Sequence, residues 1–462
     1  MEIGLLNLYY EGEEFVSGWV TKERGNKMSK KPALRPKDER VRDFNELLPR
    51  ISAQWAIAEA RRCLLCEDAP CEKGCPAGVP IVKFIRQIRN ENFKSAIKFI
   101  REANIFAGVC GRVCPQSILC EGKCTSTGLS EPIAIGLLQR FVADIDKNPQ
   151  IPELPPITKS KIAIAGAGPS GLACAWELRK MGYDVHIFES KSMPGGLLRY
   201  GIPQYRLPEF IVNAEISIIE RAGVTFHLGC EIKNLTELLI EYKAIYIAIG
   251  AKEKKLNLPG ENLKGVYSAL QLLADVNDAL RNAKPLPQIH PPVVVIGGGN
   301  TAMDAASCSI RLAGGPVSIF YRRTEEDLPA WKEEVAFARE EGVEFRFLRN
   351  PVEFVGENGV LNKVKFQIME CAGKDKDGRN RVVPVSEEYE IVEARTAILA
   401  VGQSDENPSS IFPGLEITNK DELATNIRGV FAGGDFVSGG KTVVQAIADG
   451  KKAAKKIAEF VQ

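Results

Sequence analysis

Eight of the twelve cysteines of this 462-residue chain lie between residues 63 and 124, in two closely spaced runs. The runs are Cys63-x2-Cys66-x4-Cys71-x3-Cys75 and Cys110-x3-Cys114-x5-Cys120-x3-Cys124. Thiolate sulfur is a soft ligand for iron, and close spacing lets several thiolates meet in one small volume. A proline follows Cys75 and another follows Cys114, as is typical of bacterial ferredoxin runs. The pattern predicts iron–sulfur chemistry.

Structural zinc and disulfides are the alternatives for these cysteines. Zinc sites usually consist of two short knuckles separated by a longer spacer, without Cys-Pro ends. Disulfides require an oxidising compartment. Residues 1–20 contain four glutamates and lack the basic start and apolar run of a signal peptide. Iron–sulfur coordination is therefore favoured, and the predicted location is cytoplasmic.

A glycine-rich turn between two apolar strands indicates a first nucleotide-binding unit. The turn is Gly166-Ala167-Gly168-Pro169-Ser170-Gly171. Such glycines let the backbone approach a pyrophosphate, to which the following helix presents free N–H groups. Glu189 ends the second strand, 23 residues beyond Gly166, where an acid can accept hydrogen bonds from a ribose diol. A tight turn without a ligand is the alternative, but the complete strand, helix and acid argue against it.

The same order of elements returns further along the chain. Its segments are Val293–Gly299, Asn300–Leu312 and Val317–Tyr321, with Gly297, Gly299, Asn300 and Thr301 at the turn. Arg322 and Arg323 follow the second strand, where the first unit has a carboxylate. A carboxylate would repel a 2′-phosphate, whereas guanidinium groups bind it. The second unit is therefore predicted to bind NADPH rather than NADH, unless these arginines are solvated loop charges.

Proline-rich stretches separate the regions of the chain that must position these residues. They lie at Asn148–Pro156 and Pro285–Pro292. Apolar residues recur at helical spacing from Ile51 to Arg62 and from Ile81 to Glu102, which predicts a helical cysteine region. Residues 1–40 are charged and contain scattered glycine and proline. They are predicted to form an extended arm, whose apolar residues could dock on a neighbour.

Length and charge exclude other classes of protein. A chain of 462 residues exceeds what one core usually organises. Lys and Arg number 60 against 59 Asp and Glu, so the composition gives no signature of nucleic-acid binding, and any basic patch would have to be local. The most apolar stretches have the length of strands, which excludes a membrane span. The composition predicts a multidomain soluble enzyme.

The C-terminal segment resembles the second flavin-binding motif of two-dinucleotide flavoproteins. Arg428–Asp435 carries an Ala-Gly-Gly-Asp sequence that ends in Gly434 and Asp435. In the motif the aspartate holds the ribityl chain, and the next helix points its N-terminus at the isoalloxazine. That helix would begin here near Thr442 and Val443. The resemblance implies an FAD site.

Two further segments resemble the crossings between a flavin domain and an inserted nicotinamide domain. They are Tyr246–Ala251, with Gly250, and Ile398–Gly402. The resemblance implies that Gly250 and Gly402 lie at the cofactors and that the flavin domain is split in sequence.

The whole arrangement resembles the small (β) subunit of bacterial NADPH-dependent glutamate synthase and its relatives, from about Ser52 to the end. These relatives include the N-terminal half of dihydropyrimidine dehydrogenase and the large subunit of NADH-dependent ferredoxin:NADP oxidoreductase. Gly195–Pro203 and Tyr321–Thr324 are motifs specific to the group. The resemblance implies further cofactor contacts by Gly195, Gly196, Leu197 and Arg206.

The resemblance also implies two [4Fe–4S] clusters whose ligands interleave between the two runs. One cluster would take Cys63, Cys66, Cys71 and Cys124. The other would take Cys75, Cys114, Cys120 and Gln139, the last at the position of a glutamine ligand in dihydropyrimidine dehydrogenase. Cys110 would then be spare. Without the resemblance, Gln139 would be interpreted as a surface residue of an amphipathic helix.

Flavin reductases of the glutathione and thioredoxin type pass electrons through a cysteine pair beside the flavin, and this chain has no such pair. The remaining cysteines are scattered and are predicted to be buried as small apolar side chains; they are Cys174, Cys230, Cys308 and Cys371. No residue has the pattern of a dedicated acid, base or nucleophile. Electrons are predicted to leave the flavin through the cysteine-rich domain.

The predicted fold class is α/β, with a helical iron–sulfur domain followed by two Rossmann-like dinucleotide-binding domains. An arm (1–40) would precede the helical domain with two clusters (41–155). The FAD domain would consist of two segments, 156–283 and 397–462, with the NADPH domain (284–396) inserted between them.

The predicted function is electron input to a larger oxidoreductase. The chain would take hydride from NADPH onto FAD and pass single electrons through the clusters to a partner subunit in a hetero-oligomer. No amidotransferase domain or substrate barrel is found in it, so a partner would complete the reaction. The alternatives are an electron-bifurcating subunit, a dihydropyrimidine dehydrogenase subunit, a self-sufficient diaphorase and a cluster-bearing sensor.

Overall fold

The computed structural model describes residues 31–375, 378–404 and 407–462. Most of the predicted arm, including its apolar residues before position 31, lies outside these ranges. The described end of the arm contains a short helix at Lys37–Arg40. The buried guanidinium of Arg40 lies 3.3 Å from the carboxylate of Glu341, so this end of the arm packs against a later helix.

Within the described ranges the chain alternates helices and strands after a helical beginning. The helices are α1 (Lys37–Arg40), α2 (Ala53–Arg61), α3 (Pro70–Lys73), α4 (Ile81–Arg89), α5 (Phe93–Ala103), α6 (Ala107–Val113), α7 (Ile135–Ile145), α8 (Pro169–Lys180), α9 (Leu197–Tyr200), α10 (Glu209–Arg221), α11 (Leu235–Glu241), α12 (Ala269–Arg281), α13 (Asn300–Ala313), α14 (Lys332–Glu341), α15 (Pro408–Ile411), α16 (Asp435–Ser438) and α17 (Val443–Val461). The strands are β1 (Lys161–Ala165), β2 (Asp184–Glu189), β3 (Thr225–Leu228), β4 (Ala244–Ile247), β5 (Lys252–Glu253), β6 (Val266–Ser268), β7 (Val293–Ile296), β8 (Val317–Tyr321), β9 (Glu344–Phe347), β10 (Arg349–Glu357), β11 (Val360–Lys374), β12 (Asn380–Glu393), β13 (Thr396–Leu399), β14 (Gln403–Ser404), β15 (Ile417–Asn419), β16 (Ala424–Thr425) and β17 (Val430–Ala432).

The larger sheet has seven strands in the order β15-β16-β17-β4-β1-β2-β3. β1 lies in parallel between β2 and β4, with Ile162 opposite Val185 and Ala244. A central parallel strand is covered on both faces, which explains the buried apolar run of β1. Because β15–β17 come from the C-terminal region of the chain, the sheet is built from two segments that are far apart in sequence.

The second sheet has five parallel strands in the order β6-β13-β7-β8-β9. Val293 of β7 lies opposite Thr396 and Val317. A three-stranded antiparallel sheet of β10–β12 follows it in the chain. The limits predicted for the NADPH domain, 284–396, stay a prediction; the sheet itself also contains β6, at Val266–Ser268.

Helices α2–α7 hold the loops that carry the two cysteine runs. Side chains cap some of their starts, as where the Ser52 hydroxyl accepts the N–H of Trp55 at 3.2 Å. One continuous apolar core joins this region to the larger sheet and includes Phe84, Phe106 and Leu172. Residues 32–462 therefore form one compact unit. Among the described residues, no helix is long and apolar enough to cross a membrane.

Candidate cofactor sites

A first cavity, of about 370 Å³, lies at the carboxyl ends of β1, β2 and β4 and at the start of α8. The α8 helix presents unpaired backbone N–H groups at its first turn, a favourable position for phosphate. Fourteen of the predicted cofactor residues line this cavity. They are Gly166, Gly168, Pro169, Ser170, Glu189, Gly196, Leu197, Arg206, Gly250, Asn300, Thr301, Asp435, Thr442 and Val443.

The first glycine of each nucleotide unit lies against a crossing between the two sheets. Gly166 has a φ of +100°, and a Cβ there would lie 2.4 Å from the carbonyl oxygen of Ala248. Gly297 has a φ of +140°, and a Cβ there would lie 2.1 Å from the carbonyl oxygen of Ala400. Both positions therefore require glycine. In both units the glycine turn passes close to the backbone at the end of the neighbouring parallel strand in the sheet.

Two carboxylates of the first cavity are oriented by backbone N–H groups. Glu189 is 8% exposed and accepts the N–H of Ala167 and that of Lys191, each at 2.9 Å. Asp435 accepts the N–H of Lys441 at 3.0 Å, and burial raises the pKa of Asp435. The carboxylates are held in place at the cavity wall and can accept hydrogen bonds from hydroxyl groups of a ligand.

A second cavity, of about 440 Å³, lies at the turn after β7. The predicted residues that line it are Gly297, Gly299, Thr301, Arg322 and Gly402. Three further basic residues lie on its wall: Lys254, Lys255 and Arg349. These three were not identified from the sequence. The Lys254-Lys255 pair lies just after the first crossing, Tyr246–Ala251, and its position could have indicated a role at the cofactor. Arg349 lies at the start of β10, where nothing in the sequence distinguishes it.

The two arginines after β8 have different environments. Arg322 is exposed and lines the second cavity. Arg323 is 8% exposed, does not line the cavity, and donates to the Asp375 carboxylate at 2.5 Å. Alternation along an extended segment explains the difference, because successive side chains point to opposite sides. Of these two, Arg322 is the one placed to meet a ligand in the cavity.

Thr301, in the first turn of α13, lines both cavities. The neighbouring Asn300 side chain accepts the N–H of Trp331 at 3.0 Å and fixes the start of the helix. Arg206 crosses between the two nucleotide units and donates to both oxygens of Asp304, at 2.9 and 2.8 Å. The cavities are thus adjacent, and a buried ion pair on the wall of the first cavity joins the two nucleotide units.

The first group of cysteines comprises Cys63, Cys66, Cys71 and Cys124, and we call it the Cys63 group. All four line one small cavity, which is otherwise largely apolar. Burial raises the pKa of Cys63, with the neighbouring Cys124 and Cys66 adding to the effect. Burial likewise raises the pKa of Cys71 to about 12. These two thiols hold their protons at neutral pH until a metal displaces them.

The second group comprises Cys75, Cys114 and Cys120, and we call it the Cys75 group. A hydrogen bond with the Cys110 thiol and burial raise the pKa of Cys114, which also interacts with Cys120 and Cys75. Cys110 therefore lies beside the group. Gln139 is 8% exposed and donates to the carbonyl oxygen of Ala107 at 2.8 Å, so it lies next to the helix that carries Cys110.

The donor chemistry of both groups fits iron–sulfur clusters. Within residues 31–375, 378–404 and 407–462, no three His, Cys, Asp or Glu side chains converge closely enough to hold a single metal ion. A cluster places each thiolate on a different iron atom, so its ligands are further apart. The four thiols of the Cys63 group line one apolar cavity, which is consistent with an iron–sulfur cluster rather than with a single metal ion.

Two families of known proteins match this chain, one over the helical cysteine region and the other over the nucleotide-binding units. Residues 40–151 match the family described as dihydropyrimidine dehydrogenase domain II, 4Fe-4S cluster. Residues 160–450 match the pyridine nucleotide-disulphide oxidoreductases. The chain belongs to this oxidoreductase family. It is an NAD(P)H-dependent flavoprotein oxidoreductase with an iron–sulfur domain, and the predicted α/β fold class is confirmed.

Relatives of the oxidoreductase match it over nearly its whole length. It is 37% identical to the NAD-dependent dihydropyrimidine dehydrogenase subunit PreT of Escherichia coli K12, over 91% of this chain and 97% of that protein. It is 35% identical to the glutamate synthase [NADPH] small chain of Halomonas elongata, over 93% and 96%. FprA of Mycobacterium tuberculosis in complex with NADPH is 20% identical, covers 66% of this chain and 85% of its own, and has a TM-score of 0.56; it supports the fold alone.

Some of the residues singled out from the sequence do not line either cavity of the oxidoreductase; these are Gly171, Gly195, Arg323 and Gly434. Two expectations about the scattered cysteines are wrong. Cys174 and Cys308 are buried as predicted, but Cys230 and Cys371 are exposed. Cys230 lies in the turn after β3, and Cys371 lies near the end of the antiparallel strand β11, so neither is covered by a neighbouring element.

Proposed function

We propose that the oxidoreductase takes hydride from NADPH onto FAD and passes single electrons through two [4Fe–4S] clusters to a partner subunit, in the manner of a glutamate synthase small chain. One observation carries this proposal. The first cavity is lined on one side by Thr301, which also lines the second cavity, and on another by Val113, which directly precedes Cys114. The second cavity, the first cavity and the Cys75 group therefore lie next to one another in this order.

With its cofactors bound, the protein would use hydride transfer between dinucleotides and then one-electron transfer through iron–sulfur clusters. In the first cavity, the amides at the start of α8 would hold the FAD pyrophosphate, and Glu189 would accept hydrogen bonds from its ribose. Asp435 would hold the ribityl hydroxyls. The protein's tasks are to bind, to orient and to exclude water between the two cavities.

In the second cavity we assign the 2′-phosphate of NADPH to Arg322. Its guanidinium is exposed on the cavity wall, and Lys254 and Lys255 add positive charge there. Guanidinium groups bind phosphate in a bidentate manner. This assignment favours NADPH over NADH.

For the clusters we propose the Cys63 group as one complete ligand set. The Cys75 group with Gln139 would form the other, and Cys110 would stay unliganded. Because Val113 lines the first cavity, the cluster of the Cys75 group would be nearer the flavin and the cluster of the Cys63 group nearer the exit.

Exposed apolar side chains lie close in sequence to the ligands of the Cys63 group. Leu64, between Cys63 and Cys66, is 49% exposed, and Leu129, five residues after Cys124, is 77% exposed. Such apolar side chains suit a partner contact. We therefore place the exit of electrons on this face of the helical domain.

The partner itself is proposed from the relatives. Glutamate synthase small chain and PreT are both named as components of larger enzymes. We propose a hetero-oligomer, in the cytoplasm, with an electron-accepting subunit. The similarity to PreT favours one second candidate, a subunit that feeds a pyrimidine-reducing partner.

Anaerobic purification from the native host, with mass spectrometry of every co-purifying chain, tests the proposal. An amidotransferase-bearing large subunit supports glutamate synthesis, and a pyrimidine-reducing barrel supports the second candidate. Recovery of the chain alone, fully active with NADPH and a dye, would contradict both and favour a self-sufficient diaphorase.

A further inference from the structure

Lys451 connects the flavin-side domain to the cysteine loops. It lies on α17, the helix that begins at the first cavity with Val443. Its Nζ donates to the carbonyl oxygens of Ala77 and Ala103, each at 2.5 Å. Ala103 ends α5, and Ala77 follows Cys75 by two residues. A partly buried ammonium group is therefore fixed at the backbone of the Cys75 loop.

The loop that follows Cys75 is held close to the thiol by its own backbone. The N–H of Gly78 donates to the carbonyl oxygen of Cys75 at 3.0 Å, and the carbonyl oxygen of Ala77, in the same loop, accepts from Lys451. The ammonium group also interacts electrostatically with the Cys75 thiol. Lys451 therefore acts on Cys75 through its charge, from a fixed position at the backbone of the loop.

The surrounding charged groups do not cancel the charge of Lys451. It interacts with Glu177, Lys180, Lys455 and Cys75. Glu177 is itself paired with Lys180 at 2.8 Å. A net positive charge therefore remains beside the Cys75 loop.

Given the proposed function, we propose that Lys451 is a positioning residue that raises the reduction potential of the cluster held by the Cys75 group. Reduction adds one negative charge to a cluster, and potentials depend on nearby charge and on hydrogen bonds to sulfur. A fixed cation beside the cluster favours the reduced state. The cluster nearer the flavin would thereby be the more ready electron acceptor.

The test is a redox titration of the holoenzyme, with the clusters followed by electron paramagnetic resonance. The variants are Lys451→Gln, which keeps N–H donors but loses the charge, and Lys451→Arg, which keeps the charge. Lys452→Gln, an exposed change on the same helix, is the matched control. We expect the Gln variant to disfavour reduction of one cluster about tenfold, equivalent to about 59 mV for one electron. The Arg and Lys452 variants should stay near wild type.

Iron and sulfide contents, measured for each variant, identify a purely structural role. An unchanged potential in Lys451→Gln with full cluster content would overturn the proposal. Loss of the cluster from Lys451→Gln would also overturn the proposal, because Lys451 would then be needed for the structure of the cluster site rather than for its potential. Failure of the proposed function looks different, because the wild-type protein would then either lack clusters or have clusters that dithionite reduces and NADPH does not.

Discussion

The carboxylate of Glu215 on α10 accepts the backbone N–H of Gly108 at 2.5 Å, at the start of α6. The same carboxylate accepts the N–H of Val109 at 3.2 Å. α10 belongs to the flavin side of the molecule, and α6 leads to Cys114. A single buried side chain therefore fixes the helix that connects the first cavity to the Cys75 group.

This contact predicts a pH dependence of stability. Burial raises the pKa of Glu215 to about 7 from 4.5. The folded state then binds more protons than the unfolded state between about pH 4.5 and pH 7, so the free energy of unfolding falls as pH rises through that window. Relative to Glu215→Gln, wild type should lose up to about 3 kcal/mol between about pH 5 and pH 8. Urea unfolding at both pH values measures this difference, and parallel pH profiles would refute it.

The exposed and buried arginines after β8 make a matched pair. Arg322→Ala removes a cation from the second cavity and should raise KM for NADPH about tenfold or more, with little change for NADH. Arg323→Ala removes a buried partner of Asp375 and should lower thermal stability instead. Steady-state kinetics with both nucleotides and thermal unfolding separate the two. An equal effect of Arg322→Ala on NADPH and NADH would contradict the assigned role.

Much of the nucleotide-binding architecture could be predicted from the sequence because it depends on local backbone geometry. Gly166 and Gly297 require positive φ, and each stands between apolar strands, so short windows carry the information. The fold class and the family were predictable for the same reason. Glu189 and Asp435 were also identified from motifs, although their role toward a ligand stays a prediction.

Residues brought together by long-range packing could not be read from the sequence. Lys254 and Arg349 reach one cavity from distant segments, and Arg323 turns inward where its neighbour turns outward. The burial of Cys230 and Cys371 was predicted from residue type alone, which does not reveal an exposed turn or an exposed strand end.

The ion pair between Arg206 and Asp304 should hold the two nucleotide units in their relative position. Arg206→Ala leaves the buried Asp304 unpaired and should cost about 3 kcal/mol of stability. Adding Asp304→Asn should recover part of that loss, because it removes the more buried of the two carboxylates that pair with Arg206; the other, Glu334, lies 2.6 Å from the guanidinium. Thermal unfolding of the single and double variants measures the coupling. Additive effects would show that Arg206 contributes mainly by another contact, such as its ion pair with Glu334.

The ligand sets can be tested by iron analysis. Two [4Fe–4S] clusters require about eight iron atoms per chain. Cys110→Ser should keep that content, whereas Gln139→Leu should lower it to about half. Sulfide content and the absorbance of the clusters provide independent counts. If Cys110→Ser lost iron and Gln139→Leu kept its full content, Cys110 would be the fourth ligand and Gln139 would be unliganded.

Electron flow from NADPH through the flavin to the cysteine groups is the property on which the proposed function depends. It can be measured by anaerobic addition of NADPH to the purified chain, with flavin absorbance and cluster resonance recorded on the same sample. We predict that the flavin bleaches and that a reduced-cluster signal follows without any added mediator. Flavin bleaching with no cluster signal, in a sample whose clusters dithionite does reduce, would contradict the proposed function.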